Sequence, residues 1–227
     1  MTGGNGRFAK ALKKLKSSNI FIYTDKKQLD INKVKSIESA IKKHKPDVIL
    51  HLAGLSRPLK QHDKNITKSI SLNIIGTSNL VNACIKNNLK IIYFSTSYVY
   101  QGTRGNYKED DPILPWSNYA WSKLGGESAV QMYRNSLILR VCMTERPFVH
   151  RSAFINVESN FIFHDELAAI FLRLINKRGI INIGGKSQSI YHFAKENKLK
   201  INKRFAKNEM PLNQSMNLKK MKSLLKK

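Results

Sequence analysis

The sequence predicts an α/β protein in which a doubly wound parallel sheet is covered by helices and followed by a small C-terminal lobe. Three observations predict this class. Short apolar, β-branched runs alternate along the chain with amphipathic runs of helical period. Two of these runs, 47–53 and 90–96, are almost continuously apolar, as strands buried on both faces are. The chain also opens on a glycine-rich segment, residues 2–9, directly before the first predicted helix.

The first half of the chain is predicted to hold six elements. Residues 8–15 form a helix because Ala9, Leu12 and Leu15 lie on one side of it, with lysines opposite. In order, the predicted elements are a helix at 8–15, a strand at 19–24, a helix at 32–44, a strand at 47–53, a helix at 70–87 and a strand at 90–96.

The second half continues the alternation. The predicted elements are a helix at 119–133, a strand at 136–142, a helix at 165–176 and a strand at 179–183. Asp165 is a side-chain type that often caps a helix, so we expect it to be an N-cap. Lys219 to Lys227 are expected to be the solvated end of a short helix. No long linker interrupts the chain, so we expect a main sheet domain at 1–143 and a small lobe at 144–227, interleaved with the last sheet elements and a basic tail.

The composition supports a folded protein with a basic surface. The chain has 227 residues, of which 41% are hydrophobic, so it can bury a substantial core. Lys and Arg number 40 against 15 Asp and Glu, a formal net charge of +25. The charge is mostly lysine spread over the whole chain, without a recognition helix or a zinc pattern. We therefore expect no specific nucleic-acid partner, and a favourable field for anionic small ligands.

Segments that mark export, a membrane span or a metal centre are not found in the sequence. No run approaches the ~18 apolar residues of a membrane span, and the start has no signal-peptide core. We expect a soluble, cytoplasmic protein with no membrane partner. Cys84 and Cys142 lie far apart in apolar segments, which favours buried free thiols over a metal site. His51 lies in a predicted buried strand, where a core role is favoured.

The glycine-rich opening is typical of a dinucleotide-binding loop. Gly3 and Gly6 let the backbone approach a pyrophosphate at the start of a helix. Asp25 follows the next predicted strand, near the ~20-residue offset at which an acid binds the ribose of NAD. Lys26 and Lys27 come next and suit the 2′-phosphate of NADP, so NAD and NADP both remain open.

Two further motifs indicate acid–base chemistry. Tyr119 and Lys123 are four residues apart and so lie on one helix face. An adjacent ammonium stabilises a phenolate and lowers the pKa of the phenol, which makes the phenol a better proton donor at neutral pH. Thr96 ends a buried strand, at the edge where open α/β sheets bind ligands, and can hydrogen-bond a substrate carbonyl.

These motifs together make the chain resemble the extended short-chain dehydrogenases/reductases, and within them the sugar-nucleotide-binding family of dTDP-4-dehydrorhamnose reductase. The resemblance covers almost the whole chain. The matching segments are 2–9, 29–31, 47–54, 76–80, 93–100, 119–123, 183–185 and 210–218. It implies a Rossmann-like dinucleotide-binding domain at 1–143 and a substrate-binding lobe at 144–227.

The resemblance also implies a function, the NAD(P)-dependent reduction of a keto-sugar nucleotide. It makes Tyr119 the proton donor, gives Lys123 the tasks of lowering that pKa and holding the ribose, and makes Thr96 the group that polarises the carbonyl. The implied cofactor-binding residues are Gly3, Asn5, Gly6, Arg7, Phe8, Asp25, Asp30, Leu52, Ala53, Gly54, Asn73 and Lys123. The implied substrate-binding residues are Arg57, Ser97, Tyr98 and Arg146, and no metal ligand is expected.

The chain departs from the family pattern at several places. Only Met1 precedes Thr2, whereas the family has an apolar strand before the glycine loop. We therefore expect the sheet to lack its central first strand, unless the natural chain is longer or the strand at 19–24 closes the gap. Ser97 stands where the reductases usually have Asp, and Cys142 and Met143 stand where an aromatic residue is usual. The sugar therefore stays open.

Two alternative functions remain at this point. A nucleotide-sugar epimerase that recycles its bound nicotinamide would use the same three residues. A non-catalytic dinucleotide-binding regulatory subunit would need none of them. For either enzyme we expect a nucleotide-sugar substrate, and a homodimer is compatible with the sequence.

Overall fold

The computed structural model describes residues 1–197 and 200–226, and its elements follow the predicted alternation. The strands are β1 (Val48–His51), β2 (Lys90–Thr96), β3 (Ser136–Val141), β4 (Met143–Thr144), β5 (Ser152–Phe154), β6 (Glu158–Ser159), β7 (Ile162–Phe163), β8 (Gly179–Ile183), β9 (Gln188–Ser189) and β10 (Asn202–Arg204). The helices are α1 (Arg7–Leu12), α2 (Val34–His44), α3 (Lys60–Lys64), α4 (Ile66–Ile70), α5 (Gly76–Lys86), α6 (Asn118–Gln131), α7 (His164–Leu174), α8 (Ile190–Glu196) and α9 (Lys219–Lys226). Lys227, the end of the predicted lysine-rich segment, lies outside the described residues.

Four parallel strands form the central sheet in the order β1, β2, β3, β8. Every residue of β2 and β3 is buried, because helices cover both faces of the sheet. The predicted α/β fold with a parallel sheet is confirmed. Since the strands are parallel, the carboxyl ends of β1, β2 and β3 meet at one edge, which we call the carboxyl edge.

The two faces of the sheet have separate cores. On one face, the ring of Phe8 lies 4.7 Å from that of Phe94 and 5.9 Å from that of Phe171, measured between centroids. On the other face, Ile37 of α2 and Leu80 of α5 belong to the core that covers β1 and β2. Helices on both faces make the sheet doubly wound.

The predicted strand at 19–24 is wrong, because residues 19–24 belong to no strand. The segment is hydrogen-bonded to the first residues of the chain at Ile22 and Thr24: Met1 N donates to Ile22 O, Thr24 N donates to Met1 O at 3.1 Å, and Gly4 N donates to Thr24 O at 2.8 Å. A strand forms where a neighbouring stretch of backbone pairs with it continuously. In the described chain, the backbone beside this segment is that of residues 1–4. Ile20 consequently stays 93% exposed.

Thr2 takes the place of the expected first strand. It forms an isolated parallel bridge with His51, and its N–H donates to Leu50 O at 3.0 Å. Its Oγ1 accepts from the N–H groups of Leu52 and Ala53 at 3.1 and 3.0 Å. In the described residues the sheet therefore has no full strand beside β1, as expected, but the threonine satisfies three backbone groups there, Leu50 O, Leu52 N and Ala53 N.

The predicted helix at 70–87 is present, but it is longer and irregular. α4 and α5 are joined by a π-helical turn at Ser71–Ile75, so the helical run extends from Ile66 to Lys86. A π turn inserts one residue into the helical spacing and is frequent at functional sites. Asn73 lies in this turn and is buried.

The predicted N-cap of α7 is wrong. The N-cap is Phe163, and Asp165 lies in the first turn of the helix. The carboxylate of Glu166 accepts a hydrogen bond from Phe163 N at 3.4 Å. Glu166 thus reaches back to the N-cap backbone, as the acid of a capping box does, and this replaces the cap expected from Asp165.

The residues after 144 contribute to two cores. Phe148, Phe163 and Phe193 belong to a small separate core, which β5 and α8 help to enclose. By contrast, α7, β8 and α9 pack on the main sheet, with β8 as its edge strand. The division at residue 143 stays a prediction. None of the described helices is long and apolar enough to cross a membrane.

Gly126 allows α6 to approach the π turn closely. A Cβ there would lie 2.4 Å from Asn73 O and 2.8 Å from Tyr93 Oη. We expect Gly126→Ala to lower the thermal unfolding midpoint by about 5 °C, despite the better helix propensity of alanine. Gly125→Ala is the matched control, because the atoms nearest to its Cβ would belong to the Ile74 side chain, with Cδ1 at 2.7 Å, rather than to the backbone. Equal unfolding midpoints for the two variants would contradict this packing.

Candidate active site

Thr96 and Tyr119 come together at the carboxyl edge. Thr96 is the last residue of β2, and Tyr119 lies in the first turn of α6, which begins after the N-cap Ser117. Burial raises the pKa of the Tyr119 phenol above its ordinary value, and the hydrogen bond with the Thr96 side chain and the charge of Arg57 offset this only in part. The fold therefore places a hydroxyl beside the phenol, as the motifs suggested.

Lys123 lies one turn after Tyr119 on α6. Its Nζ is 4.0 Å from the centroid of the Tyr93 ring. Burial lowers the pKa of the amino group to about 7, and the negative charge of Glu127 opposes this shift. In residues 1–197 and 200–226, no oxygen accepts a hydrogen bond from this Nζ.

A buried ion pair lies next to Lys123. Glu127, one turn further along α6, accepts from Arg140 Nη2 at 2.7 Å and from Nε at 3.0 Å. Ser95 Oγ donates to its other carboxylate oxygen. Arg140 Nη1 donates to Tyr100 Oη at 2.8 Å. These bonds fix a negative charge within electrostatic reach of Lys123 and tie α6 to β2 and β3.

His51 is buried and hydrogen-bonded at both ring nitrogens, in agreement with the core role expected of it. Nδ1 lies 2.9 Å from Thr2 Oγ1, and Nε2 lies 3.0 Å from Thr77 Oγ1. Since Thr2 Oγ1 already accepts two backbone N–H groups, it donates its proton to Nδ1. Nε2–H then donates to Thr77, whose hydroxyl donates to Asn73 O at 2.8 Å. Burial, with the charge of Lys123, lowers the pKa of His51 to about 3, so a neutral imidazole anchors the turn after β1.

Several candidate cofactor residues lie side by side. A Cβ at Gly3, whose φ is +67°, would be 2.9 Å from Ala53 N, so the glycine loop packs directly on the turn after β1. Gly6 N donates to Gly3 O at 2.9 Å and closes the loop. A Cβ at Gly54 would be 2.7 Å from Asn73 Oδ1. The fold thus brings the loop, this turn and the π turn together.

Asn73 and Phe8 are candidate cofactor residues whose side chains are used within the protein. Asn73 Nδ2 donates to Leu55 O at 2.9 Å and to Ser122 Oγ at 2.8 Å, and its Oδ1 accepts from Leu55 N at 2.8 Å. The ring of Phe8 lies in the core. Asn73 therefore braces the turn after β1 against α6, and Phe8 offers only its backbone to a ligand. Asn5 is exposed at the loop tip.

The two candidate acids each cap a turn of their own. Asp25 Oδ1 accepts from Lys27 N at 2.9 Å and from Gln28 N at 3.0 Å. Asp30 Oδ1 accepts from Asn32 N at 3.1 Å, before α2 begins. Thr24 O accepts a hydrogen bond from Gly4 N of the glycine loop, and Asp25 is the next residue. Asp25 is therefore the acid that lies beside that loop.

The candidate substrate residues Ser97 and Tyr98 open the short 3₁₀ turn after β2. The Tyr98 and Tyr119 rings meet edge to face, with centroids 6.1 Å apart. Ser97 is fully buried, and its hydroxyl lies close to the Cys142 thiol without a hydrogen bond of normal geometry in the described part of the chain. Cys142 lies close to both tyrosines. Burial raises the pKa of its thiol to about 11, so the thiol is neutral here.

The candidate arginines are engaged in ion pairs. Arg57 Nη1 lies 2.7 Å from one oxygen of Glu145, and Arg7 Nε lies 2.7 Å from the other. Arg146 pairs with two acids in the first turn of α7, at 3.3 and 2.5 Å. The fold therefore brings Arg7 and Arg57 together and places Arg146 at the N-terminus of α7, on a different set of partners.

Three residues of this region were missed by the sequence analysis. Glu127 follows Lys123 by four positions, and this helical spacing could have found it. The buried ring of His62 packs edge to face on Tyr119 at 5.1 Å, and nothing in the sequence marks that contact. Glu145 binds both Arg7 and Arg57, from which it is 138 and 88 residues distant in sequence, so only the fold brings the three together.

Comparisons with known proteins place the chain in a family. Residues 1–144 match the family model of the RmlD substrate binding domain. A dTDP-4-dehydrorhamnose reductase of Aggregatibacter actinomycetemcomitans is 33% identical over 149 residues, 63% of this chain and 50% of that protein. The methionine adenosyltransferase 2 subunit beta of Xenopus laevis is 34% identical over 107 residues, 47% of this chain and 32% of that protein. The chain spans half or less of the length of these curated relatives.

Solved structures show the same fold. A dTDP-4-dehydrorhamnose reductase of Bacillus anthracis in complex with NADP has a TM-score of 0.85 at 22% identity, over 98% of this chain and 89% of that chain. The Bordetella bronchiseptica enzyme WbmG in complex with NAD has a TM-score of 0.79 at 15% identity, over 98% and 85%. These likenesses confirm the Rossmann-like fold. Because the family model covers more than half of the chain, the protein belongs to the RmlD substrate binding domain family.

Proposed function

We propose that this chain is an NAD(P)-dependent reductase of a keto-sugar nucleotide, of the dTDP-4-dehydrorhamnose reductase type. The observation that carries the proposal is the juxtaposition of Thr96, Tyr119 and Lys123 at the carboxyl edge, where open α/β sheets bind ligands. The relatives named as dTDP-4-dehydrorhamnose reductases and the solved relative in complex with NADP support the same reaction.

The residues present fit a nicotinamide dinucleotide. Lys123 has N–H groups without a protein acceptor in the described chain, and the glycine loop packs on the turn after β1 with no room for a Cβ at Gly3. When bound, the cofactor supplies the hydride. Asp25 beside the loop suits the ribose of NAD, while the exposed Lys26 and Lys27 suit the 2′-phosphate of NADP, so we propose NADP or NAD.

The protein side of the proposed reaction is a proton transfer. Tyr119 donates its phenolic proton to the substrate carbonyl oxygen, and the Thr96 hydroxyl hydrogen-bonds the same oxygen. The ammonium of Lys123 stabilises the phenolate left behind. The fixed charge of Glu127 opposes the loss of that ammonium on burial. Each group thus acts on charge that develops during the reaction.

The substrate is proposed to lie over Ser97 and Tyr98. Tyr98 packs edge to face on Tyr119, and Ser97 precedes it in the same turn at the carboxyl edge, which supports this placement. Arg57 and Arg146 are the proposed contacts for the substrate diphosphate, after exchange of their present carboxylate partners. A homodimer stays a prediction.

A non-catalytic dinucleotide-binding subunit is the second candidate. The 34% identity to the methionine adenosyltransferase 2 subunit beta favours it. A pure binding role needs no Thr96, Tyr119 and Lys123 together, so their presence favours the enzyme. An epimerase would retain these residues, but it would consume no cofactor.

Calorimetric titration with NADPH and NADH, followed by a turnover assay with keto-sugar nucleotides, tests the proposal. We expect binding of at least one cofactor and oxidation of the reduced cofactor only when a keto-sugar nucleotide is present. Cofactor binding without any turnover, while an authentic reductase turns over in parallel, would instead support the regulatory subunit.

Lys123→Met is expected to lower turnover and raise stability together. The unfolded chain keeps the lysine protonated up to about its ordinary pKa of 10.5, whereas the folded chain releases the proton above about 7. The wild type therefore gains stability as pH rises between these values, and the variant lacks this gain. Unfolding midpoints across this pH range should show the largest advantage of the variant near neutral pH and below. An advantage that does not shrink toward alkaline pH would contradict the buried-ammonium account.

A further inference from the structure

Arg7, Arg57 and Glu145 form a three-residue cluster that we call the Glu145 bridge. Arg7 follows the glycine loop, Arg57 lies in the segment after β1, and Glu145 follows β4. The two guanidinium groups bind different oxygens of the one carboxylate, each at 2.7 Å. Arg57 Nη2 also donates to Met143 O at 3.4 Å. Three distant segments are thus joined through a single anion.

The charges in the Glu145 bridge do not balance. Two guanidinium groups face one carboxylate, so one positive charge stays uncompensated within the cluster. The Glu145 side chain is 18% exposed, that of Arg57 33% and that of Arg7 56%. Burial raises the pKa of the Glu145 carboxyl, but the hydrogen bond and charge of Arg57 and the charge of Arg7 outweigh it, so the pKa lies below its usual range. The carboxylate is therefore ionised at neutral pH.

The neighbouring charged groups do not complete the cluster. Arg146 is held by Asp165 and Glu166 and lies 3.9 Å over the ring of Phe163, so it does not share Glu145. His164, in the first turn of α7, feels Glu145 and both arginines, and burial lowers its pKa, so it adds no full charge at neutral pH. A ligand with two negative charges would match the arginine pair better than the single carboxylate does.

We propose that Arg7 and Arg57 together form one phosphate-binding site, and that Glu145 fills this site in the ligand-free chain as an internal competitor. Arginine forks bind phosphate oxygens in the same geometry as carboxylate oxygens, so the phosphate replaces Glu145 by direct exchange. The site lies beside the glycine loop, which packs on Ala53. The site itself does not depend on the proposed function. Only the identity of the ligand does, since the bound phosphate group would belong to a dinucleotide or to a nucleotide sugar.

Glu145→Gln tests the exchange, because it removes the competing charge and keeps the side-chain shape. We expect inorganic pyrophosphate to bind the variant about fivefold more tightly than the wild type, since two partly exposed ion pairs no longer compete. Glu38→Gln is the matched control. It makes the same change in net charge at an exposed pair with Lys86, and its pyrophosphate affinity should equal that of the wild type. Unchanged or weaker pyrophosphate binding by Glu145→Gln would overturn the proposal.

Two further arms make the test independent of one variant and identify the source of the phosphate. Arg57→Gln should weaken pyrophosphate binding about tenfold if the arginine is part of the site, whether or not Glu145→Gln folds. Retained affinity in Arg57→Gln would overturn the shared site. Tighter binding of NADPH or NADH by Glu145→Gln assigns the site to the cofactor, and tighter binding of thymidine diphosphate assigns it to the nucleotide sugar. If Glu145→Gln binds pyrophosphate more tightly but binds none of NADPH, NADH and thymidine diphosphate more tightly, the phosphate site is supported and the proposed function is not.

Discussion

We expect Tyr119→Phe to lower turnover of a keto-sugar nucleotide about 10³-fold, because a positioned proton donor contributes on that order to a carbonyl reduction. The ring and its edge-to-face contacts with Tyr98 and His62 remain in the variant. Cofactor affinity should therefore stay at the wild-type value. Steady-state rates and a calorimetric cofactor titration on the same preparation measure the two effects separately.

Tyr133→Phe is the matched control for this prediction. It removes the same hydroxyl from a tyrosine just after α6, where the group is buried without a hydrogen-bond partner in the described part of the chain. We expect wild-type turnover from it. A Tyr119→Phe protein with turnover within a few-fold of the Tyr133→Phe protein would remove Tyr119 from the proposed mechanism.

Arg140→Met is expected to cause the largest loss of stability, about 3–5 kcal/mol, because it leaves the carboxylate of Glu127 buried without its cation. The Glu127 side chain is 0% exposed and that of Arg140 3% exposed. Lys86→Met is the control, since its ion pair with Glu38 is exposed, and an exposed pair contributes about 1 kcal/mol or less. Denaturant unfolding followed by circular dichroism gives both free energies of unfolding.

The double variant Glu127→Leu/Arg140→Met separates the loss of a contact from the burial of a lone charge. We expect it to be more stable than Arg140→Met alone, because the pair is removed as a whole and Glu127 no longer leaves a lone carboxylate in the core. A double variant that is less stable than Arg140→Met would show that the other partners of Glu127 matter more than its charge.

The strands that the sequence predicted best are short runs rich in β-branched residues that have a full partner in the sheet. The strands at 90–96 and 179–183 match β2 and β8 residue for residue, and β2 pairs with β1 and β3 while β8 pairs with β3. The segment at 19–24 has similar composition, yet it forms no strand. Strand formation depends on a partner, and the residues beside this segment are too few to supply one.

The site was predictable to the extent that it rests on local motifs. The pairing of Tyr119 with Lys123 follows from helical spacing alone, and that of Tyr119 with Thr96 from the shared edge of a parallel sheet. The Glu145 bridge could not be foreseen, because its members belong to three segments that only the fold brings together. The hydrogen bonds from Asn73 to Leu55 O and Ser122 Oγ could not be predicted either, because the position of the Asn73 side chain depends on the π turn.

The most direct test of the proposed reaction follows a labelled hydride. NADPH carrying deuterium on the reduced carbon of the nicotinamide ring is incubated with the protein and a keto-sugar nucleotide, and the sugar product is examined by mass spectrometry and NMR. A reductase of the proposed type places one deuterium on the former carbonyl carbon for each NADPH consumed, and Tyr119→Phe slows this transfer. Sugar that changes configuration without net consumption of NADPH, or NADPH that binds and never transfers its label while an authentic reductase does, would contradict the reductase.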